Sequence, residues 1–132
     1  MTRYMLDTNT VSHLMRQHPA VVQRVVATSM ALLCVSAITA GELLFGLAKR
    51  PAATRLHLAV REFLRRVDVL AWDNAVATRY GLLRADMQNR GSTLAPVDLL
   101  IAAHSLNAGT VLVANDQAFG QVTNLDVQDW TA

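Results

Sequence analysis

The chain has 132 residues, of which 52% are hydrophobic and 17% charged, a balance that excludes a disordered polypeptide and provides core enough for one domain over residues 1–132. Twelve basic residues against ten acidic ones leave a net charge of +2, which neither demands nor opposes a nucleic-acid partner. The single cysteine, Cys34, rules out an intramolecular disulfide, and with no leader-like pattern at the start the sequence reads as cytosolic.

Tyr4 to Leu6 is a short apolar run, expected to be a strand, that ends at Asp7. Asn9 or Thr10 then caps a helix carrying Val11, Leu14 and Met15 at helical spacing. Pro19 suits the first turn of a second helix reaching about Ser29, and Ala31 to Val35 reads as the next strand. Ser36 caps a helix that runs to about Lys49 and is stopped by Pro51. The segment from Ala31 to Ala48 is apolar enough to raise a membrane span, but Glu42 near its middle would be costly in a bilayer, so a strand leading into a helix is preferred.

A helix over Thr54 to Arg66 carries Leu56, Val60 and Phe63 on one stripe with Val67 beyond, and a short strand follows around Val67 to Ala71. Asp73 caps the next helix, whose stripe of Val76, Tyr80, Leu83 and Met87 ends before Gly91. Pro96 opens a helix to about Asn107, which Gly109 terminates ahead of an apolar strand from Thr110 to Ala114. A last strand lies around Leu125 to Gln128. No segment repeats and none has the composition of a linker. Strands alternating with helices predict an α/β fold, three layers of α/β/α with a mostly parallel central sheet of about five strands. Ligands of such sheets sit beyond the carboxyl ends of the strands where strand order reverses, and Asp7 and Asp116 follow the first and fourth strands.

The ten acids divide once they are placed on these elements. Glu62 precedes Arg66 and Asp86 precedes Arg90 by one helical turn, the spacing of solvated ion pairs. Asp73 is a cap, Asp68 lies in a short strand beside basic residues, and Asp126 and Asp129 fall in an exposed tail. Glu42 is different, because Ile38, Phe45 and Gly46 place it on the stripe expected to face the core. Asp98 shares its face with Ile101, Ala102 and Ser105, although its place in a first helical turn is favoured by the helix dipole alone. If Asp7, Glu42, Asp98 and Asp116 meet at one sheet edge, their repulsion requires protons or a cation. Oxygen donors select Mg²⁺ or Mn²⁺, and His13, His18, His57 and His104 lack zinc-site spacing and read as surface or ordinary helical residues. Cys34 reads as a buried apolar filler.

Lys49, Arg50, Arg55, Arg61, Arg65 and Arg66 offer either a grip on a phosphate backbone or a solvated basic face, and Arg84 is open between RNA contact and structure.

The pieces LDTN at 6–9, SAITAGELLFG at 36–46, YGLLRADMQNRG at 80–91, VDLLIAAHSL at 97–106 and LVANDQAF at 112–119 resemble the PIN-domain ribonuclease family. The similarity is closest to the VapC-type toxins of bacterial toxin–antitoxin pairs and spans nearly the whole chain in family order. It implies an endoribonuclease in which Asp7, Asp98 and Asp116 hold one or two Mg²⁺ or Mn²⁺ ions at the scissile phosphate and Glu42 assists the attacking water. It further implies that Asn9 orients the site and that Asn115 can share the role of Asp116. Ala114 departs from the family, which often has Ser or Thr two residues before the fourth acid. The implied partners are RNA, a cognate antitoxin that covers the acidic pocket, and a second copy of the chain, with no membrane involved.

Two other readings compete with this one, and the second keeps the fold. A phosphatase of the haloacid-dehalogenase kind also places an Asp after its first strand, but it wants a second Asp where this chain has Asn9 and a later Lys where only Lys49 exists. A degenerate toxin that binds its antitoxin without cutting RNA would keep the helices and lose the metal.

Overall fold

The computed structural model describes residues 1–132. Strand β1 (Tyr4–Leu6) leads into helices α1 (Thr8–Met15) and α2 (Pro19–Ala27), followed by β2 (Leu33–Ser36), α3 (Ala37–Ala48), α4 (Thr54–Arg66) and β3 (Asp68–Leu70). The second half comprises α5 (Asn74–Asn89), α6 (Pro96–Ala108), β4 (Val111–Val113) and β5 (Val127–Gln128). The five strands form one sheet in the order β3-β2-β1-β4-β5, and every pairing is parallel. The predicted three-layer architecture is therefore present, with the order reversing at β1.

Alternation along the strands divides the core in two, because successive side chains point to opposite faces. Met5, Cys34 and Leu112 face α5 and α6, where Val76, Leu83, Met87 and Ile101 cover them. Leu6, Val35 and Val113 face the other layer, closed by Val11, Val21, Leu43, Leu47 and Phe63 from α1 to α4. β1 pairs with β4 from Tyr4 against Val111 to Leu6 against Val113, so the two strands leave the sheet side by side at their carboxyl ends. No helix is long and apolar enough to cross a membrane.

Local signals explain most boundaries. Asp73 caps α5 by accepting from Val76 N at 3.1 Å, and Gly109 ends α6 at φ +68°, a left-handed conformation that a side chain would strain. Three expectations need correction. The cap of α1 is Asp7, not Asn9 or Thr10, because the helix begins directly after the strand and the Asp7 carboxylate accepts from Thr10 N at 2.8 Å. Met30–Leu32 is a turn of 3₁₀ helix, so the strand starts only at Leu33. A second 3₁₀ turn, Gln117–Gln121, follows Asp116 where no helix was expected.

His104 also departs from an ordinary helical role. It is buried on α6 with Nδ1 2.7 Å from Ser36 Oγ, and the same hydroxyl accepts from Ile38 N to cap α3. One serine thus ties together the helices that carry Glu42 and Asp98. Ser36→Ala removes a cap and leaves a buried ring nitrogen without its partner, and urea denaturation is expected to register a loss of about 1–3 kcal/mol.

Candidate active site

Asp7 sits where β1 becomes α1, with only 3% of its surface exposed. Its backbone N–H donates to Val113 O at 3.1 Å, and the Thr10 hydroxyl donates to the same carbonyl at 2.9 Å. These two bonds clamp the first turn of α1 to the end of β4. Burial drives the Asp7 carboxyl up to about 6, against the hydrogen bonds from Thr10 that favour its charge. The nearby charges of Asp98 and Asp116 push it further in the same direction.

Asp98 lies half-buried in the first turn of α6. Its pKa is raised by burial and then by the charges of Asp116 and Glu42. Asp116 lies three residues past the end of β4, directly after Asn115, and stands exposed at the rim, its carboxylate accepting from Ala118 N at 2.9 Å. Glu42 on α3 is half-buried and receives the Thr8 hydroxyl at Oε1, 2.5 Å away, with Thr39 Oγ1 3.4 Å from that hydroxyl. Asp98 thus feels both Glu42 and Asp116, and Asp7 feels both Asp98 and Asp116, which places all four acids around one sheet edge.

Glu42 reaches this edge by a different face of α3 from the one expected. The buried stripe is Thr39, Leu43 and Leu47, whereas Phe45 is 63% exposed, so Glu42 flanks the core-facing side. α3 is apolar on nearly every side, and its spacing alone therefore does not identify its buried face.

The donor set suits a hard cation: four carboxylates, no sulfur, and one acid whose burial disfavours its charge unless a positive partner is near. No three of these side chains are gathered tightly enough to enclose a bare ion.

A groove of about 260 Å³ between α1, α3 and α4 runs from Glu42 to a basic rim of Arg16, Lys49 and Arg50. Arg50 is thus brought to the edge of the acidic region. Arg55 and Arg61 are exposed on α4 and do not line the groove, and Arg84 lies on α5. Arg65 and Arg66 both pair with Glu62. Asn9 and Asn115 are exposed, and Ala114, buried in the sheet, offers no hydroxyl. The sequence alone does not single out Thr8, Thr39 or Arg16. Thr8 had a usable signal, standing directly after the buried acid, and Thr39 lies three residues before Glu42 on the same helix.

Comparison with known proteins identifies the family of the chain as a whole. The family model for the PIN domain matches residues 4–125. The tRNA(fMet)-specific endonuclease VapC of Shigella flexneri is 33% identical over 132 residues, covering 99% of this chain and 100% of that protein. Among solved structures, DNA-bound VapBC from Salmonella typhimurium superposes with a TM-score of 0.90 at 32% identity, covering 98% of this chain and 99% of that one. VapBC2 from Rickettsia felis, bound to a DNA fragment from its promoter, gives 0.88 at 26% identity, with 98% and 99% covered.

Proposed function

Since the chain belongs to the PIN-domain family, we propose that it is an endoribonuclease toxin of a bacterial toxin–antitoxin pair, working with Mg²⁺ or Mn²⁺ in the cytoplasm. The observation that carries this reading is the meeting of Asp7, Glu42, Asp98 and Asp116 at the carboxyl edge of the sheet, where strand order reverses. Family membership also takes the place of the dehalogenase-type phosphatase alternative.

Asp7, Asp98 and Asp116 are the residues that would hold the cation. When bound, it supplies positive charge at the scissile phosphate and makes water more acidic. Asp7 is held rigidly by its Thr10 and Val113 bonds, so its carboxylate needs little reorganisation to bind. Glu42 is oriented through Oε1 by the Thr8 hydroxyl, which leaves Oε2 to take the proton of the attacking water. Arg16, Lys49 and Arg50 attract the RNA backbone along the groove that ends at Glu42. Exposed Val26 on α2 and Leu44 and Phe45 on α3 provide apolar surface for the antitoxin and for self-association.

Induced expression tests the reading directly. Wild type is expected to arrest growth and Asp98→Asn to permit it, with a matching loss of RNA cleavage by the purified proteins. Equal arrest by the two, or cleavage indifferent to a chelator, would remove Asp98 or the metal from the reaction.

A further inference from the structure

Arg84 lines neither the acidic cluster nor the groove at Glu42, and its surroundings are specific. It makes no ion pair, in contrast to Arg3, Arg65, Arg66 and Arg90. Its guanidinium instead donates to the Tyr80 hydroxyl at 3.0 Å, one turn back on α5. The Tyr80 ring meets Trp72 edge-on at 5.9 Å, and Trp72 is fastened through Nε1 to Leu100 O, so Arg84 is aimed by a rigid support. A guanidinium has five N–H donors, and most of those on Arg84 remain open to a ligand.

Tyr80, Arg84 and Gln88 recur every four residues on one stripe of α5. With Thr93, Leu94 and Leu99 they line a cleft of about 200 Å³ between α5 and the first turn of α6. That turn also carries Asp98. The opposite side of the cleft is joined to the fourth acid, because Gln121, in the 3₁₀ turn capped by Asp116, donates its amide to Thr93 O at 3.0 Å and to Ala118 O at 3.1 Å. The cleft therefore borders the elements bearing Asp98 and Asp116, on the side of α6 away from the groove that begins at Glu42.

We propose that this α5–α6 cleft is a nucleotide subsite, in which Arg84 binds a phosphate flanking the cut while Gln88 and Thr93 contact the edge of one unpaired base. Leu94 and Leu99 supply the apolar wall on which the base lies. The inference rests on the nuclease reading and assigns that site a substrate feature, single-stranded RNA extending past Asp98. Arg suits the phosphate because its planar fork gives two parallel bonds, and a carboxamide suits a base edge because it both donates and accepts.

The test is binding of a fluorescently labelled single-stranded RNA 12-mer of random sequence, followed by anisotropy in EDTA so that nothing is cut. Arg84→Ala is expected to weaken binding by about tenfold and to lower the slope of log affinity against log salt by about 0.7, the loss of one phosphate contact. Arg79→Ala, the same charge removed from α5 outside the cleft, is expected to bind like wild type. Gln88→Ala is expected to alter the base preferred beside the cut when the ends of digested unfractionated tRNA are sequenced with Mn²⁺ present. Binding by Arg84→Ala within twofold of wild type with an unchanged salt slope would overturn the subsite and leave the nuclease intact. A fall in solution mass for Arg84→Ala would overturn it too, by making the cleft a contact between protein chains. A wild type that neither binds nor cuts RNA would defeat the nuclease reading itself.

Discussion

Replacing Asp7 by Asn is expected to lower RNA cleavage by more than about 100-fold, beyond the roughly 10–100-fold cost of losing a residue that merely orients a metal ligand. In the ion-free protein the same change is expected to raise stability at neutral pH. Burial lifts the Asp7 carboxyl from 3.8 to about 6, so between these values the unfolded chain ionises while the folded protein keeps its proton. Folded stability therefore falls as pH rises through that interval, by ~3 kcal/mol in all, and is level above it. Asn does not ionise and still accepts from Thr10 N as a cap, so the penalty disappears. Urea unfolding in EDTA is expected to place Asp7→Asn up to ~3 kcal/mol above wild type near pH 7 and level with it near pH 4. Saturating Mn²⁺ reverses the order, since a ligand that binds only the folded form stabilises wild type alone. A variant no more stable than wild type at either pH would mean that the Asp7 charge is already compensated within the protein.

This opposition between stability and function follows from where the acid sits. A carboxylate at the junction of β1 and α1 is the natural cap for that helix, and a cap on an exposed helix costs nothing to ionise. Here the clamp to Val113 draws it into the sheet edge beside two further acids, and the cost appears only in the folded state. That cost is what a bound divalent ion offsets.

The elements that place Asp7, Asp98 and Asp116 were legible in the sequence because their signals are local. Thr54–Arg66 and the start of α6 at Pro96 coincide with expectation, since Pro96 and Gly109 act on their own backbone and an amphipathic stripe needs no knowledge of its neighbours. Glu42 stands out in the sequence for a reason that the structure corrects. Its address depends on how α3 rolls against α1 and α4, and a helix bearing Ile38, Leu43, Leu44, Phe45 and Leu47 has no single apolar face from which to read that roll. The Thr8 bond was out of reach for the same reason, being a contact between α1 and α3. The role of His104 is not legible in the sequence because its partner Ser36 is already accounted for as a cap, and a hydroxyl can serve both a backbone amide and a buried ring nitrogen.

Glu42→Gln and Thr8→Val together isolate the proton-transfer role. Glutamine preserves the length of the side chain and the Oε1 acceptor for Thr8 but cannot take a proton from water. Cleavage is expected to fall by about 10²–10⁴-fold in kcat, the range that general-base catalysis contributes, with KM for RNA and affinity for Mn²⁺ changed by no more than a few-fold. Thr8→Val keeps the carboxylate and removes the donor that holds it. Hydrogen bonds to charged groups contribute about 1.5–3 kcal/mol, so a fall in kcat of about tenfold or more is expected if that orientation is needed at the transition state. The double variant decides whether the two effects are one. If Thr8 acts by holding Glu42, adding Thr8→Val to Glu42→Gln costs little further activity, because there is no longer a base to hold. Losses that multiply in the double variant would mean that Thr8 works independently, through Thr39 or the first turn of α1, and that Glu42 is oriented by other contacts.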